Sequence, residues 1–213
     1  MNLDSDAGTA TPRKARERER KVEDMLAAAS RVFAQKGFHG ASMDEIAKAA
    51  EYATGALYRY FPGKEALYVE LVERRIASVL RFVQERIKEV KDPVEVLRRV
   101  ISGQLESVRR DMSLLQIYFG ERLETSLSAD YWKRLEVQQE RLLSLLADCV
   151  KAGQKKGMFQ SGNPRHFAVA LQGMLHGFYR DWIATRKSGR ALEEESEFIT
   201  NLCLRAVLKS PKS

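Results

Sequence analysis

Cysteine is scarce in this chain of 213 residues, with only Cys149 and Cys203 present. Two cysteines so far apart give neither a disulfide framework nor a paired-cysteine metal motif. Histidine is equally thin: His39, His166 and His176 are scattered, and no His-x-x-x-His pair occurs. No glycine-rich phosphate loop is present. The sequence therefore offers little to an enzyme and implies no metal and no cofactor. No stretch of about 18 apolar residues occurs, so no membrane span is expected. The first residues are polar and lack an apolar segment, which predicts no secretory signal. Together these absences predict a cytoplasmic protein.

What is present is a composition able to bury a core, 44% hydrophobic and 31% charged. The net charge is +7 and the sequence pI is about 9.4. Such a balance permits nucleic-acid binding without requiring it. The distribution is more telling. Arg13, Lys14, Arg16, Arg18, Arg20 and Lys21 crowd together, diluted only by Glu17 and Glu19. Side chains of this kind supply phosphate contacts. Residues 1–12, rich in Ser, Thr, Gly, Ala and Asp, read as a solvated tail.

The densest pattern is Thr54-Gly55-Ala56-Leu57-Tyr58-Arg59-Tyr60-Phe61. At the helical period, Ala53, Leu57 and Phe61 share one face. Gly55, Ala56, Tyr58 and Arg59 fall on the opposite arc: two small residues, a phenol and a guanidinium. A face of that kind suits a DNA major groove, which admits one helix. Pro62 closes the run, because the residue before proline is pushed out of helical geometry. Just upstream, Ser42 and Glu45 have the spacing of a capping box. Met43, Ile46, Ala47 and Ala50 continue that helix. Two short helices joined around Glu51-Tyr52 are the layout of a helix-turn-helix, whose second helix reads DNA. An ordinary helical hairpin in a bundle fits the same pattern.

Lys64 sits in the first turn of the next helix, where a cation opposes the helix dipole. A nearby DNA phosphate would compensate. The candidate DNA contacts are Ser42, Thr54, Gly55, Ala56, Tyr58, Arg59, Tyr60 and Lys64.

At this point the chain resembles a known family. The runs Val-Phe-Ala-Gln-Lys-Gly-Phe (32–38), Ser-Met-Asp-Glu-Ile-Ala (42–47), Gly-Ala-Leu-Tyr-Arg-Tyr-Phe (55–61) and Lys-Glu-Ala-Leu (64–67) resemble the N-terminal domain of TetR-type transcriptional repressors. The likeness is close over about a quarter of the chain; the remainder fits in helix count and length. Two departures stand out. Glu51 occupies a turn position that is usually Gly in the family, and would strain the turn if φ there is positive. Ala53 and Ala56 stand where Ser or Thr is common, so a hydroxyl that often touches DNA is missing.

Along the chain we expect an all-α fold of about nine helices and no strand. A disordered arm (1–15) precedes a helix-turn-helix domain (16–62) and a larger helical effector-binding and dimerisation domain (63–213). The first helix runs over residues 16–36 and ends at Gly37. A fourth helix links the domains. Asp92-Pro93 and Asn163-Pro164 each provide an N-cap and a first-position proline. A shorter helix is expected over residues 112–125 and long ones over residues 131–156 and after Asn163. The last helix, over residues 192–208, carries the stripe Ile199, Leu202, Cys203 and Ala206.

Gly173 and Gly177 share a helix face, where each glycine costs about 1 kcal/mol against alanine. Close approach of another helix would offset that. The resemblance implies that the last two helices pair with their copies in a dimer, making Gly173, Gly177, Ile199 and Leu202 candidate interface residues. Packing within one subunit is the alternative. The resemblance also implies an effector pocket in the C-terminal helices, with Arg109, Gln116, Tyr118, Arg122, His176, Tyr179 and Arg180 as candidate polar lining. Structural roles for each of these remain open.

The function expected is a homodimeric, ligand-responsive regulator, most readily a repressor released from a palindromic double-stranded DNA operator by a small hydrophobic effector. A drug-like or fatty acyl compound suits the apolar lining. The alternative is a helical lipid- or ligand-binding protein acting at membrane surfaces through its basic arm. That reading leaves the two-helix hairpin with Tyr58 and Lys64 unexplained, and no membrane partner is expected.

Overall fold

The computed structural model describes residues 12–110, 112, 127–187 and 189–209. Within them lie eight helices: α1 (Pro12–Gly40), α2 (Met43–Ala49), α3 (Thr54–Tyr58), α4 (Lys64–Ile87), α5 (Pro93–Arg110), α6 (Ala129–Lys155), α7 (Pro164–Thr185) and α8 (Arg190–Val207). The expected helix over residues 112–125 falls, Met112 apart, outside the described residues. The single β pairing among the described residues is an isolated antiparallel bridge, Phe159 to Leu208. Gly153 makes room for it, since a Cβ there would lie 2.1 Å from the Phe159 ring.

The helix ends follow local chemistry. Ser42 Oγ accepts from the Glu45 amide at 3.3 Å and Glu45 Oε2 accepts from the Ser42 amide at 3.1 Å, so the capping box is complete. Asp92 accepts from the Val94 and Glu95 amides at 3.3 and 3.4 Å. Asn163 Oδ1 accepts from the Arg165 amide at 2.9 Å. Gly37 has φ 72°, which kinks α1 close to where its first piece was expected to end. Of the arm expected over residues 1–15, residues 1–11 lie outside the described residues, and from Pro12 onward the chain is helical rather than disordered. Proline suits the first helical position, and the Arg, Lys, Ala and Glu that follow are strong helix formers.

Two cores organise the helices. One joins Met25, Leu26 and Phe33 of α1 to Ile46, Leu57, Leu67, Tyr68, Leu71 and Val72, and also takes Leu127 and Leu135. The other gathers Val83, Leu97, Ile101, Leu105, Leu146, Val150, Leu171, Leu175, Trp182, Ile199 and Cys203. The cores part within α4, between Val72 and Val83, rather than at Pro62. The first half of α4 packs on α1 and is part of the head. A polar ladder lies beside the first core and joins α1, α4 and α6. Arg134 of α6 donates to Glu73 Oε1 at 3.0 Å and to Glu70 Oε2 at 3.5 Å, Arg74 donates to Glu70 at 2.8 Å, and Arg74 also pairs with Glu19 of α1.

Candidate nucleic-acid interface and regulatory helices

α3 presents two contrasting neighbours: Leu57 is fully buried, while Tyr58 is 51% exposed. Gly55 and Arg59 are also exposed, and Thr54, Ala56 and Tyr60 are half-buried. A Cβ added at Gly55 would meet nothing within 4 Å, so this glycine leaves space outside the chain rather than inside it. The helix is shorter than the run that encodes it. Beyond Tyr58 the turn continues through the Arg59 amide, which donates to the Ala56 carbonyl at 3.2 Å, and through the Tyr60 and Phe61 amides, which both donate to the Leu57 carbonyl at 3.0 Å. Phe61 is buried as expected, but Ala53 is exposed. Ala53 is the N-cap, with extended backbone at φ −67° and ψ 142°, so its methyl lies outside the helical array and forms no capping bond.

The turn before α3 is held by α1. Tyr52 Oη donates to Asp24 at 3.2 Å, and Arg31 donates to the Ala49 carbonyl at 3.3 Å. Glu51 has φ 61°, the left-handed region where a residue with a Cβ is strained. Ser42 is exposed beside the head, its hydroxyl oxygen already accepting the α2 cap bond. Lys64 has partners that sequence spacing does not reveal. Its Nζ donates to the carbonyls of Ala41 at 2.8 Å and His39 at 3.4 Å, and lies 4.6 Å from the Phe38 ring centre. These contacts answer the unfavourable dipole position without any phosphate.

Among the candidate effector residues, His176 and Tyr179 lie together on α7, ring centres 6.1 Å apart, and Tyr179 packs on Trp182 at 5.8 Å. His176 Nε2 is 2.7 Å from the Gln172 amide nitrogen. Burial, with the charge of Arg180 second, pushes the His176 pKa down to about 4. Burial also raises the Tyr179 phenol above its ordinary range. Arg109 is not with them: it pairs with Glu193 of α8 at 3.1 Å. Arg180 faces outward on α7. Gln116, Tyr118 and Arg122 lie outside the described residues.

Two glutamines missed by the sequence reading belong here. Gln104 of α5 is 3% exposed, and among the described residues nothing pairs with its Nε2; the same holds for Gln172 Oε1. Their signal was an amide at a core position of an apolar stripe. Burial pushes the Cys149 thiol up to about 12 and the Cys203 thiol up to about 11. Both shifts disfavour the thiolate that redox chemistry needs.

The outer side of α7 and α8 is open. A Cβ at Gly173 or Gly177 would meet nothing within 4 Å, so neither glycine serves packing inside the subunit. On the same helix Val169 is 51% exposed, and on α8 Phe198 is 59% and Leu202 37% exposed. Phe198 was not among the expected interface residues. Ile199 was, and is fully buried. One residue along α8 turns the side chain by about 100°, so Ile199 faces its own core while Phe198 and Leu202 face out.

Comparison with known proteins bears on both halves of the molecule. Residues 25–71 match the N-terminal domain of bacterial regulatory proteins of the tetR family, and residues 90–207 match the tetracyclin repressor-like C-terminal domain. The transcriptional repressor NicS of Pseudomonas putida is 25% identical over 202 residues, spanning 91% of this chain and 95% of NicS. The fold is shared with the regulator FadR from Bacillus subtilis in complex with stearoyl-CoA, at a TM-score of 0.77 and 23% identity over 85% of this chain and 97% of that one. It is shared also with AibR in complex with isovaleryl coenzyme A and operator DNA, at a TM-score of 0.67 and 19% identity over 88% of this chain and 98% of that one. Among the described residues no helix is long and apolar enough to cross a membrane. The helix-turn-helix head and the matched C-terminal domain establish that this chain belongs to the tetR family of bacterial regulatory proteins, the ligand-responsive, DNA-binding regulators of transcription.

Proposed function

We propose that the protein is a homodimeric repressor acting in the cytoplasm. Two copies join along the open α7–α8 face and set their α3 helices on the two half-sites of a palindromic operator. Ser42, Thr54, Gly55, Ala56, Tyr58, Arg59, Tyr60 and Lys64 make up the surface offered to DNA. The observation that carries this reading is the contrast across one peptide bond: Leu57 anchors α3 in the head's core while Tyr58 stands 51% exposed beside it. A two-fold operator calls for a two-fold reader. The apolar patch of Val169, Phe198 and Leu202 around a glycine notch supplies a surface for pairing.

The effector in this reading is a small, largely apolar molecule held in the regulatory helices, with Gln104, Gln172, His176 and Tyr179 as its polar neighbours. Two proteins of the same fold hold acyl-CoA ligands, which supports a fatty acyl compound. Binding that favours one spacing of the heads shifts the population away from the form that fits the operator. Native mass spectrometry of the protein purified from its host tests dimer and effector together. A doubled mass carrying an acyl-sized adduct that leaves when operator DNA binds is expected. A bare monomer over a wide concentration range would contradict the proposal.

A further inference from the structure

The beginning of α1 contributes no side chain to either core. Residues 12–20 are all exposed, and the first buried side chain is Val22. A helical segment with no apolar face gains nothing from packing. Its charge is also wrong for its place. Arg13, Lys14, Arg16, Arg18, Arg20 and Lys21 gather at a helix N-terminus whose first turn holds no acid, although that end of a helix favours anions. Lys64 stands in a similar position and is answered by backbone carbonyls. Nothing comparable answers α1: among the described residues no carboxylate pairs with Arg13, Lys14, Arg16 or Arg20.

The two acids within the segment are neutralised. Glu17 accepts from Lys21 at 2.9 Å, and Glu19 is held by Arg74 of α4. The bonds to Lys21 and Arg74 keep both carboxyls below the ordinary carboxylate range. Arg74 thus compensates, from another helix, the one carboxylate of residues 12–21 that pairs with no cation of the same segment. The segment also lies beside the reading head, for the Arg18 guanidinium is 5.6 Å from the ring centre of Tyr60.

We propose that residues 12–21 form a second DNA-binding element, a rigid basic rod that lies along the phosphate backbone of the duplex flanking the half-site read by α3. At 1.5 Å per residue the rod is about 15 Å long, enough to meet several phosphates of one strand. The inference rests on the reading that α3 binds duplex DNA. The rod adds affinity and salt dependence there but no base recognition.

The test is fluorescence anisotropy of the full chain with two duplexes that share one bound sequence, one trimmed to it and one extended on both sides, over a series of salt concentrations. The variant Arg13→Gln/Lys14→Gln/Arg16→Gln/Arg20→Gln should bind the extended duplex about 10-fold or more weakly, with its log–log salt slope reduced by about 2–3. On the trimmed duplex it should match wild type. Glu19→Gln should shift binding of the extended duplex the opposite way, towards higher affinity. Equal slopes for wild type and the fourfold variant on the extended duplex would overturn the inference and leave the α3 reading standing. Wild-type protein that binds no duplex at any salt would overturn both. Phosphatidylglycerol vesicles form the last arm: four-residue dependence there, with DNA binding unchanged, would assign the rod to a lipid surface and overturn the proposal.

Discussion

Lys64 Nζ donates to the Ala41 carbonyl at 2.8 Å, tying the first residue of α4 to the residue just before the α2 cap. Charge-assisted hydrogen bonds of this kind contribute about 1.5–3 kcal/mol. Lys64→Ala should therefore lower the unfolding free energy by about 2 kcal/mol in urea titration. If the same ammonium also meets a phosphate, the salt slope of DNA binding should drop by about one. A slope equal to wild type would leave Lys64 with its structural role alone.

Tyr58 is exposed and is not part of the head's core, so Tyr58→Phe should leave thermal stability unchanged. It should weaken sequence-specific binding by about 1 kcal/mol, the usual net contribution of one hydrogen bond. Titration of specific and random duplexes side by side checks this, and equal loss on both would remove the phenol from base recognition.

The turn before α3 departs twice from what its geometry favours. Glu51 holds φ 61° with a Cβ, and Ala53 caps α3 without a side-chain acceptor. Glu51→Gly should raise the unfolding free energy by about 1 kcal/mol by relieving left-handed strain. Ala53→Ser should raise it by about 1 kcal/mol by accepting from an orphan amide of α3. Chemical denaturation of the two single variants and the double measures both. Neighbouring sites couple, so the two effects need not add.

Gly173 and Gly177 face open space, so filling them leaves the subunit's own packing intact. Gly173→Leu/Gly177→Leu should even favour the helix, by up to about 1 kcal/mol per site. If the partner's helix enters this notch, the added bulk should cost the dimer about 1–3 kcal/mol. Sedimentation over a range of concentrations should then show more monomer, with unchanged helical content. A fully dimeric variant would move the interface elsewhere.

His176 gives stability a pH dependence of definite sign. Its pKa lies at about 4 in the folded chain and 6.5 as the ordinary value. Above about pH 6.5 both states hold it neutral and it contributes no slope. Below that the unfolded chain takes up a proton that the folded chain refuses, so stability falls as pH falls, by about 1.4 kcal/mol per unit, until about pH 4. His176→Gln should flatten this part of the stability–pH curve. An unaltered curve would show that other groups carry it.

What could be read in the sequence was mostly short-range. The Ser42–Glu45 box, the Asn163 cap and the burial of Leu57 and Phe61 depend on residues within a few positions of one another, and each is found as read. What escaped depends on distant partners or on helix phase. Lys64 bonds to carbonyls 23 and 25 positions upstream, brought near only when α4 packs on α1. Ile199 and Phe198 differ by one position, and a stripe that joins Ile199 to Leu202 mixes a core side chain with an outward one. Gln104 looked unremarkable among polar residues, and becomes informative only once its 3% exposure is known. The parting of the two cores within α4 escaped for the same reason: a proline marks a local break at Pro62, whereas the cores separate where α4 changes neighbours.

The central claim is that α3 reads a two-fold DNA sequence. Selection of bound duplexes from a randomised pool by the full chain, followed by sequencing, tests it most directly. The account predicts enrichment of a palindrome whose half-sites lie about one helical turn or a multiple of it apart, with enrichment lost in Tyr58→Ala/Arg59→Ala. A pool that remains unenriched, with retention set by salt alone and unaffected by that double substitution, would contradict it.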